Sequence, residues 1–313
     1  MADGVLVIDK PAGPTSFEVV RRVRRLLGEA SAGHTGTLDP MATGVLAVCL
    51  GEALKLQHWL AEGDKAYEAT VAFGAATETE DAEGKVTERG DPSDLDADRV
   101  AAMLARFTGE IEQIPPMYSA VRVGGQRLHE AARRGEEVPR QPRRVRVHAL
   151  ELVSFEPARE GLARARLRVR CGKGTYVRTL AADLGRALGV PAHLEALRRV
   201  EAGPFTIAAA LPLAEAEALL ASGGPGALRA RLVLPAEALA FLPATRLDEA
   251  GVRDLGHGKA VALAAPEGMV RALDPEGRLV SVCRSDGRLL RPVRVLLPGG
   301  RPALARRGVP GGR

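Results

Sequence analysis

The residues best suited to chemistry lie in one loop, Gly33-His34-Thr35-Gly36-Thr37-Leu38-Asp39-Pro40-Met41-Ala42-Thr43-Gly44. Its glycines permit tight turns and close approach of another molecule. Pro40 biases Asp39 away from the right-handed helical region. One carboxylate is thus presented on a shaped loop ahead of an apolar run at 45–50, and loops on rigid scaffolds often carry catalytic groups. The same pattern fits a plain turn whose Asp caps a neighbouring amide, and spacing alone favours that turn slightly. Aromatics are scarce, ten in 313 residues, so a Tyr among polar neighbours stands out. Tyr67 follows Lys65-Ala66, and Tyr176 sits in Gly172-Lys173-Gly174-Thr175-Tyr176-Val177-Arg178. Either fits a core Tyr with a satisfied hydroxyl. With Lys173 and Arg178 beside it, Tyr176 also suits a base-stacking surface within reach of phosphate.

Other chemistries lack their signals. Neither GxxxxGK[ST] nor GxGxxG occurs, so the common nucleotide-cofactor loops are absent. Cys49, Cys171 and Cys283 are odd in number and far apart, which speaks against a disulfide framework and for a reducing compartment. No compact Cys/His spacing suggests zinc. No run approaches the ~18 apolar residues of a membrane span, and the first residues lack a signal peptide's pattern. A cytoplasmic protein with no membrane contact is expected.

Elements must position that loop. Residues 4–9 read as an apolar strand, broken by Pro11, Gly13 and Pro14. Thr15 and Glu18 form a capping-box pattern, with Phe17, Val20, Val23 and Leu27 following at helical spacing. Strands are expected at 45–50 and 67–73, and helices at 54–60, 99–107, 176–188, 193–199 and 211–220. Residues 221–226 read as a loop. Residues 163–171 alternate strictly, with Arg164, Arg166, Arg168 and Arg170 on one face, as in a half-buried strand. After about Thr245, short apolar runs alternate with turns, the pattern of a small β-barrel or sandwich.

Charge is segregated. Hydrophobic residues make up 46%, enough for a sizeable core, and the net charge is +5. Residues 76–98 carry nine acids and two bases, and read as an acidic surface loop. Residues 121–148 carry eight Arg and three Glu, and residues 161–178 five Arg, one Lys and no acid. Two basic blocks apart from one acidic block favour a polyanion partner. Of the basic residues 38 are Arg, whose planar forks match phosphate and stack on bases, though a codon bias accounts for the excess equally well.

Several motifs in order resemble the bacterial tRNA pseudouridine-55 synthases of the TruB family. They are Gly4-Val5-Leu6-Val7-Ile8-Asp9-Lys10-Pro11 with Thr15-Ser16, the GHTGTLDPMATGVL loop, Lys65-Ala66-Tyr67, Pro115-Pro116-Met117-Tyr118-Ser119-Ala120-Val121, the CGKGTYVRTLAADLG stretch and Leu197-Arg198-Arg199. The resemblance implies an α+β fold, a mixed, largely antiparallel sheet with flanking helices, over residues 1–240. It implies an RNA-gripping insertion at about 115–148 and a small PUA-like β domain at 245–298, with a disordered tail at 299–313. The implied reaction is isomerisation of a T-loop uridine in tRNA. The base must first be extruded from its stack, which costs a few kcal/mol.

Roles carry over by position. Asp39 corresponds to the essential aspartate, acting on ribose or uracil as nucleophile or base. Arg178 matches the Arg that pairs with it, an arrangement that keeps a carboxylate pKa low. Tyr67 matches the tyrosine that stacks on the target uracil. Tyr176 and Leu197 wall the pocket, and His34 enters the T-loop. Lys10 supports the active-site loop, and Arg143 and Arg144 belong to the basic insertion. The resemblance implies no cofactor and no metal. The expected partners are the T-arm and acceptor end of tRNA, bound by a monomer. The loop's single carboxylate suits rearrangement better than glycoside hydrolysis, which usually needs two. Arg122, His129 and Val200 depart from the family's usual Lys, Tyr and Thr. The competing readings are a tRNA-folding chaperone without obligatory turnover, a guide-RNA-dependent synthase and a nucleoside hydrolase.

Overall fold

The computed structural model describes residues 3–119, 122–123, 126–136 and 138–296. In chain order the elements begin β1 (Gly4–Lys10), α1 (Ser16–Leu27), β2 (Ala32–His34), β3 (Thr43–Leu50), α2 (Gln57–Glu62) and β4 (Lys65–Phe73). Then come β5 (Ala75–Thr77), β6 (Val86–Arg89), α3 (Ala97–Leu104), β7 (Gly109–Gln113), β8 (Arg122–Val123), β9 (Gln126–Arg127) and α4 (Leu128–Arg133). The sheet continues with β10 (Arg143–Arg159), β11 (Leu162–Cys171), α5 (Val177–Leu188), β12 (Ala192–Ala202), β13 (Phe205–Thr206) and β14 (Leu211–Pro212). Helices α6 (Leu213–Arg229) and α7 (Pro235–Ala238) lead to β15 (Ala244–Arg246), α8 (Glu249–Gly256), β16 (Val261–Ala262), β17 (Gly268–Leu273), β18 (Leu279–Ser285) and β19 (Leu289–Val295).

The main sheet runs β14-β1-β3-β12-β4-β11-β10-β7. The pairs β1/β14 and β3/β12 are parallel and the others along this path antiparallel. This is the α+β class expected. Strand β3 is buried on both faces, as a run without alternation requires. Leu46, Val48 and Leu50 join the core under α1, α3, α5 and α6. Val45, Ala47 and Cys49 join a second core with Leu56, Leu60 and Leu239. The second core also takes Leu279, Val282 and Leu296 from the C-terminal sheet, β15-β17-β18-β19-β16. That sheet has a further small core of its own around Val270, Val280 and Leu290. Among the described residues no helix is long and apolar enough to cross a membrane.

Helix α1 starts where the capping box places it. Thr15 Oγ1 accepts from the Glu18 amide, and the Glu18 carboxylate accepts from the Thr15 amide at 2.7 Å. It ends at Gly28, whose φ of 67° favours glycine. Phe17, however, is 67% exposed, and Val19 packs in the core instead.

Three other expectations are corrected. Residues 193–199 form part of strand β12 rather than a helix. Bulges between Leu194 and Ala196 and between Arg199 and Glu201 break its alternation and mimic a helical period. Residues 221–226 lie within α6, which kinks at Gly224 (φ 67°) instead of opening into a loop. The acidic stretch is a β5–β6 hairpin that carries Asp81 into the interior, so it is not merely a solvated face. Half of the β11 Arg row is neutralised within the protein: Arg164 pairs with Glu195 and Arg170 with Glu201. The tail 299–313 and the side chains of Arg122 and His129 lie outside the described residues.

Candidate active site

The 33–44 loop is held from below by three anchors. Lys10 has no exposed surface, and its Nζ donates to the carbonyls of Pro11, Pro40 and Ala42 at 2.9, 3.1 and 2.7 Å. Burial pushes this ammonium down to about 8. Ser16 Oγ bonds both the carbonyl and the amide of Leu38 at 2.8 Å, so the start of α1 grips the residue before Asp39. Arg199 is 2% exposed and donates to the carbonyls of Val45, Gly36 and Thr37 at 2.8, 3.0 and 3.2 Å. Gly44 makes the β3–β12 approach possible. It has a φ of 101°, and a Cβ there would lie 2.1 Å from the Arg199 carbonyl.

Asp39 projects from this loop into a cleft of about 620 Å3. Its side chain keeps 35% exposure and lies 2.9 Å from Arg178 Nε. The Arg178 side chain is only 5% exposed. Its NH1 meets the Thr79 carbonyl at 3.0 Å and Asp81 Oδ2 at 3.3 Å, and its NH2 donates to the Tyr118 carbonyl at 3.0 Å. Asp81 is itself held by Thr79 Oγ1 at 2.5 Å and by the Glu83 amide at 3.1 Å. One buried guanidinium is therefore shared by two carboxylates, and only Asp39 retains a free approach from the cleft. Burial raises the Asp39 carboxyl above its ordinary value; Arg178 pulls it down and Asp81 pushes it up. The low pKa expected from the Arg178 pairing is thus reversed, because desolvation, with a second carboxylate, outweighs Arg178 and the smaller pulls of Lys10 and Arg199.

Tyr67, Tyr176 and Leu197 line the same cleft. Tyr67 is 9% exposed and its phenol is shared with Arg199; burial raises its pKa, so the ring is neutral at ordinary pH. Tyr176 stands just before α5. Its amide and carbonyl are clamped by the Gln113 side chain at 3.0 and 3.2 Å. His34 ends β2, its Nδ1 buried without a partner among the described residues, and lies outside the lining. Its pKa is lowered by burial and by Arg199. Arg143 and Arg144 also lie outside the lining, exposed on β10 opposite Gln113 and Glu112.

Asp81, Gln113 and Thr79 went unread in the sequence, and Arg199 carried no role beyond its place in the Leu197-Arg198-Arg199 motif. The alternation of Thr77, Thr79 and Asp81 with exposed-type acids was the available signal, since a hydroxyl two residues before an Asp can donate to its carboxylate, as Thr79 does, while Thr77 donates to the Asp81 carbonyl. Among the described residues no group of three or more His, Cys, Asp or Glu could hold a metal ion.

Comparison with known proteins agrees along the chain. The model of the TruB family pseudouridylate synthase N-terminal domain matches residues 24–177. The tRNA pseudouridylate synthase B C-terminal domain matches 178–240, and the tRNA pseudouridine synthase II C-terminal model 242–297. A tRNA pseudouridine synthase B of Symbiobacterium thermophilum is 50% identical over 261 residues, 83% of this chain and 84% of its own length. One from Pseudomonas aeruginosa is 45% identical over 290 residues, 91% of this chain and 93% of its own. A chain from a Cbf5-Nop10-Gar1 complex superposes with a TM-score of 0.73 at 27% identity, covering 95% of this chain and 86% of that one. A chain from an H/ACA RNP bound to a substrate RNA containing 2'-deoxyuridine gives 0.71 at 25% identity, covering 94% and 85%. With 50% identity to one such synthase over 261 aligned residues, and family models spanning 24–297 but for one residue, this chain belongs to the TruB family of pseudouridylate synthases.

Proposed function

We propose that the protein converts uridine 55 in the T-loop of tRNA to pseudouridine, with Asp39 as the reacting group. The observation that carries this is a carboxylate that is ion-paired to a buried arginine yet open to a cleft of nucleotide size. The target uridine leaves its stack and enters the cleft against the Tyr67 ring. Asp39 acts on it there. The C1′–N1 bond breaks, the uracil turns, and a C1′–C5 bond forms; C5 loses a proton and N1 gains one, so no cofactor is consumed. Arg178 aims the carboxylate and supports its charge. Tyr67, neutral at ordinary pH, stacks and hydrogen-bonds rather than acting as a phenolate. Tyr176 and Leu197 wall the cleft and retain the detached base. Lys10 keeps the loop in shape.

His34, a neutral imidazole, enters the T-loop and supports the everted state. Arg143 and Arg144 hold RNA phosphate from the insertion. Residues 1–240 form the catalytic unit, and residues 245–298 meet the acceptor end. The protein works as a monomer in the cytoplasm. Purified protein incubated with a tRNA transcript, followed by mass-labelling for pseudouridine, tests the reading. Wild type gives multiple turnovers at one position and Asp39→Asn gives none while still binding. Equal product from both proteins would overturn the role of Asp39. Binding without product from either would favour a folding chaperone.

A further inference from the structure

Helix α1 carries charge that neither basic block of the sequence includes. Its buried side is Ser16, Val19, Val20, Val23 and Leu27. At 100° per residue, Phe17, Arg21, Arg24 and Arg25 fall together on one flank, at i, i+4, i+7 and i+8. All four are exposed. Arg22, on the other flank, is directed to Glu217 at 3.8 Å. Glu18 is turned back onto Thr15 at the cap. Among the described residues Arg21, Arg24 and Arg25 make no ion pair. From Phe17 to Arg25 the stripe runs about 12 Å at 1.5 Å per residue, and its cationic part, Arg21 to Arg25, about 6 Å.

Its front end is aromatic. The Arg21 guanidinium stands 6.0 Å from the centroid of the Phe17 ring. The Phe17 ring is left 67% exposed. Paired with a guanidinium it offers a stacking face beside a phosphate ligand. A helix C-terminus favours basic residues, which accounts for Arg24 and Arg25. It does not account for Arg21 or Phe17, which lie nearer the other end. The N-terminal end of α1 reaches the cleft. Thr15 lines the cleft, and Ser16 is bonded to Leu38 beside Asp39. Helix α1 covers the sheet face opposite the C-terminal domain, so a ligand held there is gripped on a side that domain does not reach.

We infer that this flank of α1 is an RNA-binding surface, in which Arg21, Arg24 and Arg25 hold phosphates of the substrate tRNA and Phe17 stacks on a base beside the cleft entrance. The inference rests on the tRNA-modifying reading above. The test compares wild type with Arg21→Gln/Arg24→Gln/Arg25→Gln, with Phe17→Ala, and with a control pair of exposed arginines on the α3 side, Arg99→Gln/Arg106→Gln. Dissociation constants for a tRNA transcript are measured across a salt series.

The triple variant should bind more weakly. The slope of log K against log salt should fall by about 0.7–0.9 for each phosphate no longer held, so by about two units or more. Phe17→Ala should weaken binding roughly 5- to 150-fold with the slope kept. In turnover assays KM should rise for both while kcat stays at the wild-type value. A triple variant whose slope and affinity match wild type, or match the control pair, would overturn the inference. Should wild type bind tRNA with the expected salt dependence but form no pseudouridine, the proposed reaction fails while the surface stands.

Discussion

Replacing Arg199 by lysine is the most searching perturbation of the loop that presents Asp39. The guanidinium spans two structures at once: it bonds Val45 on β3 and the Gly36 and Thr37 carbonyls on the loop, and it reaches the Tyr67 phenol. Lysine keeps the charge but concentrates its donors at one point and lacks the planar fork. An ammonium that stays at the buried Val45 carbonyl does not span to the Gly36 and Thr37 carbonyls as the fork does, and those two part-buried carbonyls turn to water instead. Each exchange gives up the net worth of a hydrogen bond, about 0.5–1.5 kcal/mol, so the fold loses about 1–3 kcal/mol. At about 2–4 °C per kcal/mol for domains of 150–250 residues, the melting temperature should fall by about 2–12 °C. The loop released is the one that aims Asp39, and a misplacement of about 1 Å is enough to cost about 100-fold in rate. The RNA contacts outside the cleft remain, so KM should stay within a few-fold. Single-turnover pseudouridine formation, tRNA binding and thermal melting read the three quantities separately. An Arg199→Lys protein with wild-type kcat and unchanged melting would refute the argument that Arg199 holds the loop.

Asp39→Asn should be inactive yet melt no lower than wild type at pH 7. The Asp39 pKa is raised on folding, so its favourable contribution belongs to the protonated form and is lost as pH rises through the folded value. The neutral amide escapes that loss, and the gap should close below the ordinary carboxylate range; a variant melting several degrees lower at pH 7 would contradict this. Asp81→Asn removes a charge that raises the Asp39 pKa, so the acid limb of the kcat/KM profile should move to lower pH. A limb that stays put or moves up would separate Asp81 from Asp39. Tyr67→Phe keeps the stacking face and loses the hydroxyl shared with Arg199. It should bind tRNA normally with a lowered kcat, and a Kd weakened along with kcat would show that the hydroxyl serves binding instead.

Local features of the chain were legible because their causes are local. The Thr15–Glu18 cap, Gly28 at the helix end and the strict alternation of β11 each depend on residues within a few positions, and each appears where expected. The four short apolar runs after Thr245 likewise became strands β16 to β19. The loop bearing Asp39 was legible as a motif, since its Gly and Pro positions constrain the backbone directly.

What stayed hidden depends on partners distant in sequence. Arg199 and Val45 are 154 positions apart, and Arg178 and Asp81 are 97 apart. No spacing rule links them. Residues 193–199 carry a helical period, yet pairing with both β3 and β4 makes them a strand, since sheet hydrogen bonds on two sides outweigh a weak local preference. Asp81 sits in a run whose composition says solvent, and only closure of the β5–β6 hairpin brings it against Arg178. Sequence alone determined that a carboxylate is displayed on a shaped loop. Tertiary structure alone decided how that carboxylate is charged, because desolvation and charge–charge coupling exist only once distant groups are buried together.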